Sequence, residues 1–560
     1  MAERAEYDYV IAGAGSAGCV LAYRLTEDPT IRVLLLEAGG RDTHPLIHVP
    51  IGLGRMWEHR MLDWGYDTEP EPRLDGRRIE TMRGKVLGGS SSINVMAYVR
   101  GHPGDYDRWA RNGCRGWSYA DVLPYFKRCE TWERGENAWR GGDGPLSVID
   151  SRNRDPLFDA WLAAAREADW PYTEDYNGKQ PEGFGHSQWT IRNGRRCSAA
   201  AAFLRPALGR PNLTVETHAL ATRVLLDGNR RAVGVEYQQG ERLYRAHPAA
   251  SATDGLTRQA RARREVILAG GAFNTPQLLM LSGIGPRDAL GEHDIPVLVP
   301  LAGVGGNLQD RYEVAVVYRM KKPWEALDGA TFSTSDPQYR EWRDTRAGVY
   351  STNGAVASVI ARSTAAAFQP DLFCYAIIGD FRGYEPTYSK RFPEHLDRLT
   401  WVVLKGHTNN RGGTVRLASR DPRATPAINF RYFDEGTGDS AQDLDAVVHG
   451  IRLVRRMTEG LQRQFGAVED FPGPAVDTDD ELRTFARDHA WGHHASCTCP
   501  IGPESSGGVL GSDFTVHGTQ GLRVVDASVF PRIPGLFIVS AIYMVGEKAA
   551  DVIIDAAKRS

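Results

Sequence analysis

The first apolar run of the chain lies close to its start and is followed by a glycine-rich turn. Residues 7–12 read YDYVIA, which predicts a short buried strand, and GAGSAG follows directly. The next segment, CVLAYRLTED, places Val20, Leu21 and Leu25 at helical spacing and so predicts a helix. The run IRVLLLE then predicts a second buried strand that ends at Glu37. The predicted order is therefore strand, tight turn, helix, strand.

Later apolar runs predict further strands. REVILA, which ends at residue 269, predicts a strand directly before GGAFNTPQLLMLSGIGP. The alternating stretches YEVAVVYRM (312–320) and LTWVVLKG (399–406), together with GGTVRLASRDP, are typical of strands and turns. The sequence contains no internal repeat.

Residues 240–264, GERLYRAHPAASATDGLTRQARARR, interrupt this pattern. The stretch is longer than a hairpin needs and is rich in alanine and arginine, so we predict a surface insertion. We expect its arginines to form a solvated face and not a binding patch. These arginines include Arg242, Arg245, Arg258, Arg261 and Arg263.

The length and charge of the chain limit its class. A chain of 560 residues exceeds one ordinary core, which predicts two domains or one large interleaved pair. Hydrophobic residues make up 42% and the net charge is -3, so neither a nucleic acid nor an anionic membrane is expected as a partner. No signal-peptide pattern and no apolar run of bilayer-spanning length is present. We therefore predict a cytoplasmic protein without a membrane span.

The GAGSAG turn has the GxGxxG spacing of a dinucleotide-binding loop. Gly13 permits the tight turn, Gly15 lets the backbone approach a pyrophosphate, and Gly18 permits close packing of helix on strand. The helix N-terminus supplies N–H donors and the positive end of its dipole. Glu37, 19 residues after Gly18, can accept hydrogen bonds from a ribose diol. The motif predicts a dinucleotide cofactor and leaves NAD and FAD both open.

A second stretch with candidate chemistry is WGHHASCTCPIG, near the C-terminus. The seven cysteines of the chain are an odd and scattered set, which argues against a disulfide scaffold. Cys497 and Cys499 have CxC spacing, whereas zinc sites normally pair CxxC with a second ligand cluster. His493 and His494 are adjacent, so on a strand they would point to opposite faces. We therefore predict no metal site here.

Four motifs occur in order along the chain. They are the GAGSAG turn, RGKVLGGSSSINVMAYVRG, GGAFNTPQLLMLSGIGP, and GLRVVDASVFPRIPG followed by MVGEKAADVI. The glycines and serines of the second motif make a flexible, donor-rich segment that can wrap around a large planar cofactor. The chain resembles the glucose–methanol–choline (GMC) family of FAD-dependent oxidoreductases. With RGKVLGGSSSIN and HASCTC it is most similar to the choline-dehydrogenase-like bacterial branch.

The resemblance implies an α/β (α+β) fold. A Rossmann-like FAD-binding domain is expected to interleave with a substrate-binding domain built on an antiparallel sheet. The FAD-binding domain is expected to comprise residues 1–155, 200–310 and 495–560. The substrate-binding domain is expected to comprise residues 156–199 and 311–494.

The resemblance also implies a set of FAD contacts. The ADP half is expected on Gly13, Gly15, Ser16, Gly18, Glu37 and Ala38. The isoalloxazine ring and ribityl chain are expected near Trp64, Val86, Ser90, Asn94, Met96 and Ala97. The backbone of Val224 is expected to pair with the adenine, and Asp526 and Ala527 are expected to meet the pyrophosphate and ribityl region.

The attachment of FAD is predicted to be non-covalent. Some family members bind FAD covalently through a histidine directly before the asparagine that corresponds to Asn94. Ile93 occupies that position here, and an isoleucine side chain cannot form that bond.

Alcohol oxidation by a flavin needs a base for the hydroxyl proton, and a histidine with a pKa near neutrality suits this task. Matching HASCT to the family's histidine segment implies that His494 is the base. His493 takes a position that is usually aromatic or apolar in relatives and lies beside the flavin. A packing role for His493, with a hydrogen bond to backbone, is the preferred interpretation.

Phe537 occupies the family's second catalytic position, an asparagine or histidine that orients the substrate oxygen. A missing hydrogen bond in a dry pocket costs roughly 1–3 kcal/mol, or about one to two decades in rate. Three explanations stay open. The substrate is aromatic or apolar and His493 supplies the second polar group; His494 works alone and more slowly; or the chemistry has diverged to a lyase, cyclisation or decarboxylation reaction.

The preferred interpretation is an FAD-dependent alcohol dehydrogenase or oxidase that transfers hydride from a CH–OH group to flavin N5. Its expected partners are a small alcohol-like substrate and an electron acceptor, either O2 or a quinone or redox partner. Choline is disfavoured because a quaternary ammonium needs an aromatic cage, usually with a carboxylate nearby, and the sequence does not place one. Trp324, Glu325 and Trp342 are the residues considered for such a cage. Arg311 replaces a histidine in a loop that helps to cover the pocket in relatives, which predicts altered substrate access.

Overall fold

The computed structural model describes residues 6–152, 156–167, 170–240, 256–384, 388–433 and 441–559. Two large sheets organise this part of the chain. No helix within the described ranges is long and apolar enough to cross a membrane.

The first sheet is built around the N-terminal apolar run, which forms the strand Glu6–Ala12. This strand lies inside the sheet because it pairs in parallel with a neighbour on each side. From edge to edge the described strands are Ala219–Leu226, Ala232–Gln239, Leu256–Leu268, Glu6–Ala12, Val33–Glu37 and Leu213–Thr217, with Leu522–Val524 paired to Leu256–Leu268. Its central strands are almost wholly buried, as expected of parallel strands that are covered on both faces.

The predicted order of strand, turn, helix and strand is confirmed. The helix Ser16–Leu25 follows the turn and packs against the C-terminal helix Val539–Arg559. Gly13 has a φ of +112°, and a Cβ at this position would lie 2.4 Å from the carbonyl oxygen of Ala269. A Cβ on Gly18 would lie 1.9 Å from the carbonyl oxygen of Gly13, so the close packing predicted for Gly18 also requires glycine.

The second sheet is antiparallel throughout the described residues. From edge to edge its strands are Val468–Phe471, Tyr312–Arg319, Arg398–Lys405, Leu372–Ile378, Ala355–Ala361 and Gly183–His186. The two strands predicted near 312–320 and 399–406 are therefore direct neighbours. The long helix Ala441–Phe465 packs on this sheet, which buries the outer face of its central strands.

Smaller elements complete the described chain. The minor strands are Glu130–Trp132, Leu146–Asp150, Gln188–Trp189, Ile191–Arg192, Arg195–Arg196, Ile284–Gly285, Val299–Pro300, Thr414–Arg416 and Ala427–Asn429. The other α-helices are Pro45–His48, Leu53–Glu58, Pro103–Arg111, Tyr119–Cys129, Pro156–Glu167, Arg205–Ala207, Gly271–Leu281, Arg287–Gly291, Pro337–Thr345, Arg391–Glu394 and Asp479–His489.

The prediction of a surface insertion at 240–264 is wrong for its second half. Residues 256–264 belong to the strand Leu256–Leu268, which pairs antiparallel with Ala232–Gln239 before it pairs in parallel with Glu6–Ala12. Residues 241–255 lie outside the described residues.

The arginines of this strand alternate with buried alanines. Arg261 and Arg263 are exposed, whereas Ala260 and Ala262 are buried, which is the period of two of a half-buried strand. Arg258 is exposed as well, on the opposite face of the strand, so exposure to solvent is confirmed for these three arginines. The other two predicted members, Arg242 and Arg245, lie outside the described residues.

Candidate active site

A cavity of about 240 Å³ lies at the carboxyl ends of the parallel strands of the first sheet. Of the residues predicted to contact cofactor or substrate, the following line it: Gly13, Gly15, Ser16, Glu37, Ala38, Trp64, Ser90, Asn94, Ala97, His493, His494, Asp526, Ala527 and Phe537. Segments that are hundreds of residues apart in the sequence therefore meet around one space.

The GAGSAG turn offers an anion-binding end to this cavity. The helix that follows begins at Ser16 with Gly15 as its N-cap, and no side chain caps it and no acidic residue lies in its first turn. A Cβ on Gly15 would meet only the carbonyl oxygen of Ala269, at 3.9 Å, so this glycine faces open space in the cavity. Free N–H groups beside open space fit a pyrophosphate.

Glu37 ends the second parallel strand at the cavity wall. Its carboxylate accepts hydrogen bonds from the backbone N–H groups of Ala14, at 3.0 Å, and Gly39, at 2.8 Å. Burial raises the pKa of Glu37 to about 7, although both hydrogen bonds oppose this shift. A carboxylate held in this way, with lone pairs left over, fits an acceptor for ribose hydroxyls.

Asp526 fixes the C-terminal side of the cavity. Its carboxylate accepts from the N–H of Gly271 at 2.8 Å, from the hydroxyl of Thr275 at 2.6 Å and from the N–H of Ser528 at 2.8 Å. These bonds hold the turn that contains Ala527 against the start of the helix Gly271–Leu281. Asp526 therefore shapes the wall that its neighbour Ala527 presents to a ligand.

Four predicted contact residues do not line the cavity: Gly18, Val86, Met96 and Val224. The backbone N–H of Val224 donates to the hydroxyl of Ser282 at 2.8 Å, so it is not free to bind an adenine. The same strand, Ala219–Leu226, reaches the cavity with residues 219–221 instead. The adenine contact at Val224 stays a prediction, and residues 219–221 are the part of this strand that borders the cavity.

The two adjacent histidines lie on the same side of the chain. Their ring centroids are 4.4 Å apart, and Nε2 of His493 and Nδ1 of His494 lie 3.6 Å and 3.5 Å from Oε1 of Glu313. The prediction that these side chains diverge is wrong, because residues 492–495 do not form a regular strand.

His494 is held at its backbone and is neutral. Its N–H donates to Oδ1 of Asp310 at 2.6 Å. Burial, then the neighbouring His493, Arg311 and Arg83, lower the pKa of His494 well below its usual value. Burial, Arg83 and Arg311 also lower the pKa of His493 to about 3. Both imidazoles are therefore uncharged at neutral pH, which is the form that can accept a proton.

Glu313 is a buried carboxylate in the second sheet, in the strand Tyr312–Arg319. Burial and the nearby charge of Asp310 raise the pKa of Glu313 to about 8, and Arg311 offsets part of the rise. Neither carboxylate oxygen has a hydrogen bond of normal geometry among the described residues. Sequence reasoning missed both Glu313 and Asp310, although an acidic residue inside the apolar run YEVAVVYRM is a visible signal.

The ring of Phe537 packs edge-on against the predicted base. Its centroid lies 5.1 Å from that of His494, at an interplanar angle of 79°, and 5.2 Å from that of Phe373. The position predicted to orient a substrate oxygen thus presents an apolar ring at the cavity wall.

Arg311 holds the segment before Phe537. The guanidinium is buried and donates to the carbonyl oxygens of Pro534 and Gly535, and the N–H of Gly535 donates to Asp105 at 2.7 Å. Arg311 does not line the cavity, so the structure gives it a role in backbone placement, where the sequence suggested a role in substrate access.

A second cavity, of about 140 Å³, adjoins the first. The two share Trp57, Val95, Ala97 and Tyr384. Its aromatic lining comprises Trp57, Tyr176, Trp189, Phe332, Tyr339, Tyr350, Phe373, Tyr375, Phe381, Tyr384, Tyr388 and Phe392. Among its described lining residues Arg55 alone carries a formal charge. Sequence reasoning missed this cavity because its rings come from many separate segments.

The residues that the sequence suggested for an aromatic cage do not lie at the site. The indole N–H of Trp324 donates to the carbonyl oxygen of Arg398, and that of Trp342 donates to the carbonyl oxygen of Gly194. Neither tryptophan, nor the exposed Glu325, lines either cavity. The suggestion that these residues surround a substrate cation is therefore wrong.

The cysteines are packing residues. All seven are buried and free, which confirms the prediction that they form no disulfide scaffold. The backbone N–H groups of Cys497 and Cys499 donate to the carbonyl oxygens of Ala527 and Ser528, at 3.0 Å and 2.9 Å. This stretch therefore holds the cavity wall through its backbone.

Glu313, His493 and His494 are also close enough together to be considered as metal ligands. Their donor atoms lie within 4.8 Å of one another. The local charge disfavours a divalent ion, because Arg83 and Arg311 already act on both histidines.

A pyrophosphate-binding turn at the ends of parallel strands, continuous with a buried neutral histidine, defines a dinucleotide-dependent oxidoreductase. Comparison with known families identifies the dinucleotide. Two GMC oxidoreductase family models match residues 7–313 and 408–546. The chain belongs to the GMC oxidoreductase family.

Curated relatives match the chain over nearly its whole length. The oxygen-dependent choline dehydrogenase of Brucella anthropi is 40% identical over 554 residues, which cover 98% of this chain and 96% of that protein. The mitochondrial choline dehydrogenase of Mus musculus is 40% identical over 566 residues, with 98% and 89% covered.

Solved structures of flavoproteins share the fold. A formate oxidase variant from Aspergillus oryzae superimposes with a TM-score of 0.88 at 28% identity, with 100% of both chains covered. Pyridoxine 4-oxidase from Mesorbium loti superimposes with a TM-score of 0.82 at 28% identity, covering 97% of this chain and 98% of its own. The protein is an FAD-dependent oxidoreductase that acts on CH–OH donors.

Proposed function

We propose that the protein oxidises an uncharged alcohol with an aromatic or apolar body, and that His494 is the base. The observation that carries this proposal is the position of His494 in the cofactor cavity, next to the aromatic second cavity through the shared residue Tyr384. Bound FAD supplies a hydride acceptor, N5 of its isoalloxazine ring.

His494 takes the hydroxyl proton. Its Nδ1 faces Glu313, so Nε2 is the nitrogen left for the alcohol. The low pKa of His494 keeps the ring neutral before the proton arrives, and its hydrogen bond from N–H to Asp310 fixes the backbone at this point. His493 lies beside it as a second neutral ring and as the candidate for the polar contact that Phe537 cannot make.

The second cavity receives the body of the substrate. Its wall carries twelve aromatic side chains and no acidic side chain among the described residues that line it. Apolar groups are stabilised there by roughly 25 cal/mol for each Å² removed from water, and a ring can add about 0.5–1.5 kcal/mol by edge-to-face contact. A quaternary ammonium would find aromatic faces there, and only the lack of a carboxylate at the wall favours an uncharged substrate over it.

FAD is held without a covalent bond. Gly15 and Ser16 receive the pyrophosphate at the helix N-terminus, and Glu37 accepts from the ribose. Ile93 lines the cavity and is aliphatic, so it offers no nucleophile to the flavin.

The division into domains supports this arrangement. The first sheet takes its described strands from the segments assigned to FAD binding, residues 1–155, 200–310 and 495–560. The second sheet takes its strands from residues 156–199 and 311–494. We retain this division as a proposal, with O2 or a quinone or redox partner as electron acceptor and the cytoplasm as the location.

Anaerobic mixing with alcohols tests the proposed function. The holoenzyme is mixed with benzyl alcohol, cinnamyl alcohol, octanol, ethanol and choline, and the flavin absorbance near 450 nm is followed. We expect the aromatic or long apolar alcohols to bleach the flavin at least tenfold faster than ethanol at equal concentration. Absence of bleaching with every alcohol would refute the proposal.

Two other functions remain to be separated by the same experiment. Choline oxidation is favoured by the 40% identity to the choline dehydrogenases named above, and bleaching by choline alone would support it. A lyase, cyclisation or decarboxylation reaction is favoured by Phe537, and product formation from a substrate that leaves the flavin oxidised would support it.

A further inference from the structure

Glu313 is the most unusual residue near the base. It carries a carboxylate within a strand whose other members, apart from the final Arg319, are buried and uncharged, and its side chain is fully buried. Oε1 lies 3.5 Å from Nδ1 of His494 and 3.6 Å from Nε2 of His493. Such a group costs several kcal/mol to bury as an ion unless neighbours compensate it. Both histidines lie beside the same oxygen, Oε1, of this carboxylate.

Glu313 acts through the histidines and not on the substrate. It does not line the cofactor cavity or the aromatic cavity, whereas His493 and His494 line the former. Both rings therefore border the cavity and also lie within 3.6 Å of the carboxylate, which does not itself reach the cavity. Their nitrogens that face Glu313 are the atoms through which it can influence the reaction.

We propose that Glu313 is a positioning residue that, when ionised, accepts a hydrogen bond from Nδ1–H of His494 and so leaves Nε2 unprotonated toward the alcohol. This inference rests on the proposed role of His494 as the base. The gap of 3.5 Å shortens to a hydrogen bond when Nδ1 carries the proton and Glu313 the charge. Nε2–H of His493 makes the second donor to the same oxygen.

The proton balance of the step is simple. Before the reaction Glu313 is a carboxylate and His494 carries one proton, on Nδ1. The O–H bond of the alcohol breaks and its proton forms a bond to Nε2. FAD, when bound, would supply the acceptor for the hydride that the carbinol carbon loses, so that the alcohol becomes a carbonyl compound. The resulting imidazolium lies beside the carboxylate, which stabilises its positive charge in the dry site.

The protonated form of Glu313 has the opposite effect. Its O–H donates to Nδ1, so the single N–H of His494 moves to Nε2, and the base is blocked. The raised pKa of Glu313, about 8, makes this form common at neutral pH. Activity should therefore rise as the pH is raised through the pKa of Glu313 and fall as the pH is lowered through it.

Other groups around Glu313 determine the pH at which activity rises, that is, the position of the rising limb of the pH–activity profile. The titratable and polar groups that interact with it are Asp310, Arg311, Tyr375, Tyr384, Trp491, His493 and His494, with Arg83 acting on both histidines. Asp310 opposes the ionisation of Glu313 and Arg311 favours it. The two histidines have low pKa values and stay neutral across the range in which Glu313 titrates.

Kinetics of the Glu313→Gln variant test the proposal. The amide keeps the size of the side chain but cannot be a charged acceptor. In the unsubstituted holoenzyme we expect the rate of flavin reduction by a turned-over alcohol to rise with pH between 6 and 10. In Glu313→Gln we expect this limb to vanish and the rate at high pH to fall on the order of 10²–10⁴-fold. Glu313→Asp should restore part of the limb.

A matched control is Glu71→Gln. Glu71 is also buried and accepts from the N–H of Phe430 at 2.7 Å, but it lines neither cavity. We expect its variant to keep the pH profile of the unsubstituted enzyme. The proposal is overturned if Glu313→Gln keeps the limb, or if Glu71→Gln loses it equally.

A readout without turnover separates this proposal from the function itself. Side-chain ¹⁵N chemical shifts of labelled histidine in the holoenzyme report which nitrogen of His494 carries the proton, with His494→Ala used for assignment. We expect Nδ1–H above the titration and Nε2–H below it, and a pH-independent tautomer in Glu313→Gln. If no alcohol reduces the flavin but this tautomer switch is present, the proposed function fails and the role of Glu313 stands.

The same samples test whether Glu313, His493 and His494 bind a metal ion instead. Metal analysis of the purified holoenzyme should give less than one tenth of an equivalent of zinc. A full equivalent of zinc that is lost in Glu313→Gln would overturn the positioning role.

Discussion

Around His494, burial is the largest influence on each titratable side chain whose pKa departs from its usual value. It raises the pKa of Asp310 to about 6 and that of Glu313 to about 8, and it lowers the pKa of both His493 and His494. In every case burial favours the uncharged form of the side chain. At neutral pH both histidine rings are therefore uncharged and able to accept a proton. The carboxylates of Asp310 and Glu313 are the groups whose protonation changes near neutral pH.

Removal of the base is the first prediction at this scale. We expect His494→Ala to bind FAD but to reduce it on the order of 10²–10⁴-fold more slowly with the best alcohol, because no neighbouring group takes over the hydroxyl proton. Stopped-flow absorbance at saturating alcohol measures the rate. His493→Phe, which restores the aromatic character usual at that position, is the comparison and should lose at most about one to two decades in rate, as the loss of one polar contact predicts. Full activity in His494→Ala would remove the base assignment.

Phe537 supports a second prediction. Phe537→Asn replaces the phenyl ring, whose centroid lies 5.1 Å from that of His494, with an amide that can bond the substrate oxygen. We expect kcat/KM for ethanol to rise about 10- to 100-fold, as one hydrogen bond of roughly 1–3 kcal/mol predicts. Phe537→Leu, which stays apolar, should show no such gain. If both variants behave alike, the ring only fills space.

At the scale of elements, the local sequence predicts the cofactor-binding turn but does not predict the residues around the base, His494. Strand, turn and helix are contiguous, so spacing alone predicts where Gly13, Gly15 and Ser16 lie. Asp310 meets His494 across 184 residues of sequence. No periodicity tells which loops of the two sheets will meet, so Asp310 and the partners of Glu313 were beyond sequence reasoning.

Side-chain alternation would have corrected one error. Within RQARARRE the arginines and alanines alternate, and this period of two predicts the strand that residues 256–264 form. The composition, rich in alanine and arginine, pointed to an insertion instead. The pattern of positions was more informative than the residue types.

The helix that begins at Ser16 supports a prediction about FAD affinity. Gly15 has a φ of -78° and a ψ of -160°, which alanine tolerates, so Gly15→Ala adds no backbone strain. The new methyl group projects into the cavity, where we place the pyrophosphate. We expect at least a tenfold rise in the Kd of FAD, measured by flavin fluorescence on reconstitution of the apoprotein. Gly228→Ala, at a site with no atom within 4 Å of the added Cβ, should leave the Kd unchanged.

At the scale of the molecule, the first sheet lines the cofactor cavity directly, and the second sheet approaches it through the two histidines. The first sheet supplies the cofactor turn and Glu37, and the second supplies Glu313 behind the histidines. The chain between them carries His494 and Cys497, whose backbone bonds reach Asp310 and Ala527. A ligand in this cavity would contact the first sheet and the histidine segment directly, and it should stabilise the second sheet through that segment.

Removal of FAD is therefore expected to lower the stability of the whole chain. A ligand that binds only the folded protein stabilises it by about 2.7 kcal/mol when its free concentration is a hundred times its Kd. The apoprotein should melt at a lower temperature than the holoenzyme in differential scanning calorimetry, and added FAD should raise the Tm with the logarithm of its free concentration. Gly15→Ala should need at least ten times more FAD for the same Tm, because its affinity and not its fold is changed. Equal Tm values for apoprotein and holoenzyme would mean that FAD binds folded and unfolded chains alike or that the cavity forms without contributing to stability, and either result would contradict the coupling of the two sheets through the cofactor.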